Sequence, residues 1–420
     1  MRVTLVNTRS HAGGAALATV RLHRALRERG VVSTLRALCL DRVEPEVYPV
    51  GFWPTARHAQ LRLAFDQIPR WLSGNFGTGQ FTTALGPAPF GLGAALRNTD
   101  VIHLHWIGKG ALPLRRLAKI RQPIVWTLHD MWPLTGGCHY DAECGRFSIM
   151  CGHCPALGSH RADDLSRRVF AAKRSTYSGL NITFVAPSRW MATNVEASPL
   201  GHGVPVHVIP NALDREIFTP LNARAARSGL GLSTQATVIA FAAMGGVSES
   251  RKGFDLLAAA LPTISKQLAS HNLHLLVIGG SAAEAATAPM PVTGTGYLST
   301  EQAVARALRA ADVLVAPSRQ DNLPNTVCEA LACGVPTVAF DVGGVPDLIH
   351  HQRNGYLARP FDPDDLARGV AWALKDRERH SILRETARES TARFSPEVVA
   401  KQHIALYREI LDSFRDRSGA

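Results

Sequence analysis

Short apolar runs that finish in polar residues recur along the whole chain. "RVTLVN" (2–7), "DVIHLHWI" (100–107), "PIVWTLHD" (123–130), "NITFVAPS" (181–188) and "VPVHVIPN" (204–211) are the first five. They are short, rich in β-branched residues and bounded by turn formers, which predicts buried strands. Continuous apolar runs, as opposed to alternating ones, belong to parallel sheets covered on both faces. After the first run, Leu17, Val20, Leu22 and Leu26 recur at helical spacing, and Gly30 stands where a helix would end. The pattern restarts at "ATVIAFAAMG" (236–245) and continues with "LHLLVIGG" (273–280), "ADVLVAPS" (311–318) and "VPTVAFDVGG" (335–344). Helical stretches at 252–269 and 300–311 separate these strands.

The expected fold class is α/β, two doubly wound, Rossmann-like domains with parallel sheets that face a cleft. The chain has 420 residues, too many for one ordinary core. The domains are placed at 1–210 and 211–395, with a polar, turn-rich joint at 209–233. An amphipathic stretch, 396–420, is expected to pack back on the N-terminal domain as a helix. Ligands of open α/β sheets bind beyond the strand carboxyl ends, so the polar residues that close these strands become candidates as a group.

The stretch "SRQDNLPNTVCEA" (318–330) sets two acids, Asp321 and Glu329, around such an edge. Asp321 follows a strand; Pro324 suits a turn or a first helical position; "NTVCEALACG" continues as a helix with Gly334 as its stop. The first turn of that helix offers unpaired amides and the positive end of its dipole, which suits a phosphate or diphosphate. A carboxylate beside bound phosphate is useful as an acceptor for neutral hydroxyls. Ribose hydroxyls suit Glu329, and those of a second ring suit Asp321. Arg251 and Lys252, at the end of strand 236–245, would neutralise a diphosphate leaving group.

The segment "PSRQDNLPNTVCEALACGVPTVAFDVGGVPDLI" resembles the donor-binding segment of retaining GT-B glycosyltransferases of family 4. The resemblance extends over nearly the whole chain, including "VIPNALDREIFTP" at the joint, and is most specific over 311–357. It implies the GT-B fold and a bacterial polysaccharide-type transferase. Glu329 would bind the nucleotide ribose, while Asp321 and the backbone of Asn322, Leu323, Pro324 and Asn325 would face the donor sugar and diphosphate. Lys252 matches the family lysine that opens a helix as Lys-Gly. The family arginine stands several residues earlier, where this chain has no basic residue, and Arg251 is its substitute. The family's first acid is a glutamate; Asp321 is one methylene shorter.

Three further groups join the site by position. Gly13 and Gly14 form a strand-to-helix turn that lets backbone approach the donor, though without the full dinucleotide fingerprint. His129 and Asp130 close a strand, and the resemblance implies that the histidine contacts the donor sugar. Tyr297 and Leu298 lie in a loop suited to base selection. Cys138, Cys144, Cys151 and Cys154 cluster in a 136–155 insert whose C-x2-C end admits a structural zinc, with His139 and His153 as spare ligands. Cys39, Cys328 and Cys333 read as small buried hydrophobes.

The formal charge is +12. Stretches 52–72 and 112–123 concentrate basic residues. The first also carries Trp53, Phe65, Ile68 and Trp71, a mix suited either to a membrane surface or to docking on its own domain. The N-terminal apolar run is too short for a secretory signal, which leads us to expect a cytoplasmic protein, peripheral at the inner membrane face. The expected function is transfer of a sugar from a UDP- or GDP-linked donor to a hydroxyl of a saccharide or lipid-linked saccharide, with no cofactor or metal required for catalysis. A sugar-nucleotide epimerase or a phosphorylase on the same scaffold is the alternative. A basic, zinc-bearing nucleic-acid or scaffold protein leaves the 318–344 pattern unexplained, so no nucleic-acid partner is expected.

Overall fold

The computed structural model describes every residue except 43, 52–55, 75–79, 88–90, 244–247 and 419–420. The chain divides into two compact units, Met1–Ala212 with Pro396–Ala420, and Leu213–Ser395.

Among the described residues, the first unit is built on seven strands: β1 (Arg2–Arg9), β2 (Val32–Cys39), β3 (Val47–Pro49), β4 (Val101–Leu104), β5 (Ile124–Thr127), β6 (Ile182–Ala186) and β7 (Val206–Val208). All neighbours pair in parallel, in the order β3-β2-β1-β4-β5-β6-β7. The second unit has β8 (Thr237–Ala242), β9 (Leu273–Ile278), β10 (Val292–Gly294), β11 (Val313–Ala316), β12 (Thr337–Phe340) and β13 (Gly355–Ala358), all parallel, in the order β10-β9-β8-β11-β12-β13. Each order reverses once, between β1 and β4 and between β8 and β11. In doubly wound folds that reversal opens the crevice where ligands bind.

Both faces of each sheet are covered, as the continuous apolar runs require. Ile102 and Leu104 of β4 join one core with Trp126 and Phe184, whereas Val101 joins the opposite core with Leu5, Val20 and Leu26. The second sheet divides the same way: Val238 and Ala240 face one core, Ile239 and Phe241 the other. Alternate residues of a strand point to opposite faces, so a fully buried strand contributes to two cores at once.

The helix Pro396–Ser418 belongs to the first unit. Val399, Ala400, Leu406 and Tyr407 are buried in the core that holds Val20 and Leu26, and the Tyr407 hydroxyl lies 2.6 Å from His103 Nδ1. Strands β2, β3, β10 and β13 are additions to the runs read above. The burial of β2 alternates and its Ser33, Thr34 and Arg36 hide the run; β3 and β10 are three-residue edge strands. Among the described residues no helix is long and apolar enough to cross a membrane.

Phe184 and Phe340 are fully buried in different units. Phe184→Ala and Phe340→Ala should each cost about 3–5 kcal/mol. Hydrogen exchange should quicken mainly in the strands of the unit that carries the substitution. Equal acceleration throughout the chain would contradict the division into two units.

Candidate functional site

At the reversal point of the second sheet, the loop after β8 meets the loop after β11. Gly253 approaches so closely that a Cβ there would lie 2.0 Å from the Pro317 carbonyl oxygen, and its φ of +69° favours glycine independently. Gly343 makes the same kind of approach to the Asp321 carbonyl oxygen, again at 2.0 Å for a Cβ, with φ +57°. The backbone N–H of Arg319 donates to the Arg251 carbonyl (2.8 Å), and the Arg319 side chain pairs with Asp255 (2.6 Å). The two loops are therefore fixed to each other through backbone.

Asp321 is buried at this junction. Its Oδ2 accepts from Lys252 Nζ at 2.7 Å and lies 3.2 Å from Arg251 Nη1; its Oδ1 accepts the Asn322 amide at 3.1 Å. Arg251 also donates to Glu249 (2.6 Å) and to the Gln320 carbonyl (3.0 Å). Burial pushes the Asp321 pKa up, but Lys252 and Arg251 more than offset this and hold it below the ordinary carboxylate value. The structure brings these three candidates together, with Asp321 in contact with both cations and with its own loop. Glu329 lies inside the helix Asn325–Ala332 and is only 4% exposed. Asn322 and Leu323 are buried in the preceding loop, and Pro324 is the N-cap.

Helix starts divide into two kinds. Ser188, Asn222, Thr300, Asp362 and Asp376 each cap their helix with a side-chain oxygen. Gly13, Gly253 and Pro324, the starts at the two reversal points, supply no side-chain cap, and neither do Gly91 and Pro113 before their four-residue helices. An N-terminus without such a cap keeps its positive end for an anion. On the neighbouring loop, Gly296 donates its N–H to the Gly280 carbonyl (2.9 Å), Tyr297 is exposed and Leu298 packs against the core.

The first unit orders its own strand ends. Asp41 accepts the N–H groups of His11 and Ala12, both at 3.0 Å, and pairs with Arg9. Glu44 lies 2.6 Å from His11 Nε2 and pairs with Arg24. These contacts brace the turn that leads to Gly13 and Gly14. At the end of β5, Asp130 is buried and committed within its unit: Oδ1 accepts the Trp132 amide (2.9 Å), and Oδ2 meets Trp106 Nε1 and His139 Nδ1, both at 2.7 Å. Asp130 is thus an anchor for its loop, and His139 is its partner, not a spare ligand. His129, half-buried beside it, has its Nε2 2.9 Å from His105 Nδ1; burial lowers its pKa to about 4 although Asp130 opposes this. Asp41, Glu44, Trp106 and His105 were not selected from the sequence, and His139 was named only beside the cysteines. Only the alternation of His103 and His105 signalled anything, because the other contacts join residues far apart in the chain.

Among the described residues, no group of three or more His, Cys, Asp or Glu is arranged to hold a metal ion. Cys138 and Cys154 face an apolar pocket with Phe81, Leu157, Leu165 and Val169, while Cys151 belongs to the larger core, and Cys144 is half-buried. Burial raises the Cys138 pKa, and raises that of Cys151 to about 11, as expected of protonated thiols used in packing. His153 lies elsewhere, against the His160 carbonyl. Cys328 and Cys333 are buried as read; Cys39 is only half-buried.

The helix Ala56–Leu72 docks in an unusual sense. Trp53 and the side chain of Arg57 lie outside the described residues. Arg62 donates to the Gly110 carbonyl and Asp66 accepts the Ala84 amide (2.8 Å), so charged residues face inward. Leu61, Phe65, Ile68 and Leu72, spaced 4, 3 and 4 residues apart, form an exposed stripe beside Trp71, which is 67% exposed.

Comparison with known proteins agrees with the two parallel-sheet units. The family described as Glycosyltransferase Family 4 matches residues 12–217, and Glycosyl transferases group 1 matches residues 238–376. A D-inositol 3-phosphate glycosyltransferase of Corynebacterium urealyticum is 26% identical over 74% of this chain and 72% of its own. One from Saccharomonospora viridis is 30% identical over 50% of this chain and 51% of its own. Among solved structures, sucrose-phosphate synthase from Thermosynechococcus elongatus superposes with a TM-score of 0.69 at 18% identity, covering 98% of this chain and 100% of that one. The Anabaena protein HepE in complex with UDP-glucose gives 0.65 at 16% identity, covering 98% and 100%.

The depressed Asp321 pKa has a pH signature. Its stabilisation is complete above the unfolded carboxylate pKa of about 4 and is lost as pH falls through the lower folded value. Asp321→Asn should cost about 2 kcal/mol at neutral pH. Urea titrations should show the gap to the unsubstituted protein narrowing as pH drops below about 4. A pH-independent gap would exclude the ion pair as its cause.

Proposed function

We infer that this chain, which belongs to the family 4, group 1 glycosyltransferases, moves a sugar from a UDP- or GDP-linked donor held at the strand ends of its second sheet. The observation that carries this reading is the Lys252–Asp321–Arg251 cluster beside an N-terminus without a side-chain cap, at the β8/β11 reversal. The donor diphosphate would take its charge stabilisation from Lys252, Arg251 and the amide end of the helix Asn325–Ala332. Asp321 would keep both cations in place until the anion arrives. Glu329, one turn further on, would accept from the ribose hydroxyls. Tyr297 and Leu298 would lie toward the base. For Gly13, Gly14 and His129 of the first unit, a role toward the sugar rests on the family resemblance.

Departure of the nucleoside diphosphate breaks its bond to the anomeric carbon, and an acceptor hydroxyl forms the new one and releases its proton. The negative charge that grows on the leaving oxygen is the quantity these groups would stabilise. Retention at the anomeric carbon is the outcome the family resemblance supports. The acceptor we propose is a saccharide or lipid-linked saccharide in polysaccharide synthesis. The exposed stripe Leu61, Phe65, Ile68, Trp71 and Leu72, on a chain of formal charge +12, supports peripheral contact with an anionic membrane on the cytoplasmic side.

Two measurements test this reading. Turnover with UDP- and GDP-sugars should fall by about 10²–10³ in kcat for Lys252→Ala, with a comparable loss of kcat/KM for Glu329→Ala. Unchanged rates in both would remove the proposed site. Binding to vesicles containing phosphatidylglycerol should drop at least about tenfold in a Phe65→Ser, Trp71→Ser double variant. Vesicle binding that survives the double variant would dissociate the stripe from the membrane.

A further inference from the structure

The first unit gathers four imidazoles. His103, His105 and His403 are buried and His129 is half-buried. Ring centroids stand 4.2 Å apart for His103 and His105, 5.4 Å for His103 and His403, and 5.2 Å for His105 and His129. Between the last two, His105 Nδ1 and His129 Nε2 are 2.9 Å apart. One of these nitrogens must carry the hydrogen and the other the lone pair.

The far side of His105 decides which. Among the described residues, its Nε2 is buried with no hydrogen-bond partner. If Nδ1 accepted from His129, the His105 proton would sit on Nε2, as a buried N–H with nothing to receive it. If Nδ1 donates, only a lone pair is left without a partner. Orphaned buried N–H groups are the rarer and more costly case. The same cluster contains a direct precedent. His403 Nδ1 lies 2.9 Å from the Val399 carbonyl oxygen, which can only accept, so His403 carries its proton on Nδ1. Its Nε2 is likewise buried and without a partner. This interior therefore already accommodates a bare Nε2.

We propose that His105 is a positioning residue: it donates Nδ1–H to His129 Nε2 and so fixes the ring proton of His129 on Nδ1. The ε nitrogen of His129 is then committed to His105 and does not take a proton while His105 Nδ1 carries one. A second proton on His129 Nε2 would set two N–H groups against each other at the observed separation, unless the His105 proton moved to its orphaned side. The contacts thereby favour the neutral form of the pair. The tautomer stands on these contacts alone; its bearing on sugar transfer rests on the donor-site reading above.

The test is long-range ¹H–¹⁵N correlation on the full chain with ¹⁵N-labelled histidine near pH 7.5, with His129 assigned by its loss in His129→Asn. His129 is expected as a single tautomer with hydrogen on Nδ1. A hydrogen on Nε2 would overturn the proposal, and this readout needs no His105 variant to fold. In His105→Asn the carboxamide N–H replaces the donor, and the tautomer should persist. In His105→Leu it should relax toward the Nε2–H form; an unchanged spectrum there overturns the positioning role. Donor KM should rise about tenfold in His105→Leu, the scale of one lost hydrogen bond, and His105→Asn should recover most of it. The expected spectra with an unchanged donor KM would keep the tautomer and refute the assignment of His129 to the donor.

Discussion

A carboxylate removed from water must find partners or lose its charge. Asp66, Asp130 and Asp321 are 1%, 8% and 6% exposed, and each ties down a loop that the strands alone would leave undetermined. Asp321 holds the two loops of the β8/β11 reversal. Asp130 joins the end of β5 to Trp106 and His139. Asp66 fixes the helix Ala56–Leu72 to the 83–84 backbone. Their environments differ in sign. The partners of Asp130 and Asp321 outweigh burial and keep them ionised, whereas Asp66 has mainly neutral donors, so burial wins and its pKa is raised. The site loops are therefore rigid because charge is buried in them, and the same burial gives them their electrostatic character.

What the sequence revealed follows from what is local. Continuous apolar runs marked β1, β4, β5, β6, β8, β9, β11 and β12 because a parallel strand buried on both faces needs no partner to look buried. The polar closures of those runs led to Lys252, Asp321 and His129 for the same reason. The direction of each side chain was not legible. Lys252 and Asp321 stand 69 positions apart and meet only through strand order. Asp130 looked available because its partners Trp106 and His139 arrive from another strand end and from the cysteine-bearing loop.

Composition left two groups open that packing describes more closely. Four cysteines at suggestive spacing share a neighbourhood, yet two serve one apolar pocket and a third serves another core. The stretch 52–72 suited either a membrane surface or docking on its own domain; Arg62 and Asp66 dock the helix Ala56–Leu72, and its apolar stripe faces out. Residue types alone do not distinguish these two orientations, because both satisfy the same helical spacing. Only the carbonyl of Gly110 and the amide of Ala84, supplied by other loops, decide which face can be buried without an unpaired charge.

The shorter acid at 321 illustrates how one methylene redirects a site. A glutamate would carry its carboxylate about 1.5 Å further along the chain direction. With aspartate, the oxygens stay within reach of the Asn322 amide and of both cations, so the group closes on its own loop. This has a cost and a return for the proposed reaction. Two cations shared with one carboxylate present less net charge to an incoming diphosphate than two unpaired ones. They are also already ordered, so little rotamer freedom remains to be lost on binding, a term of up to about 2 kcal/mol for each long side chain. An anion with more charge than a carboxylate, placed over the helix start, competes well for cations held in this way. A neutral ligand does not, and that difference would give the proposed cradle a preference for diphosphates over free sugars.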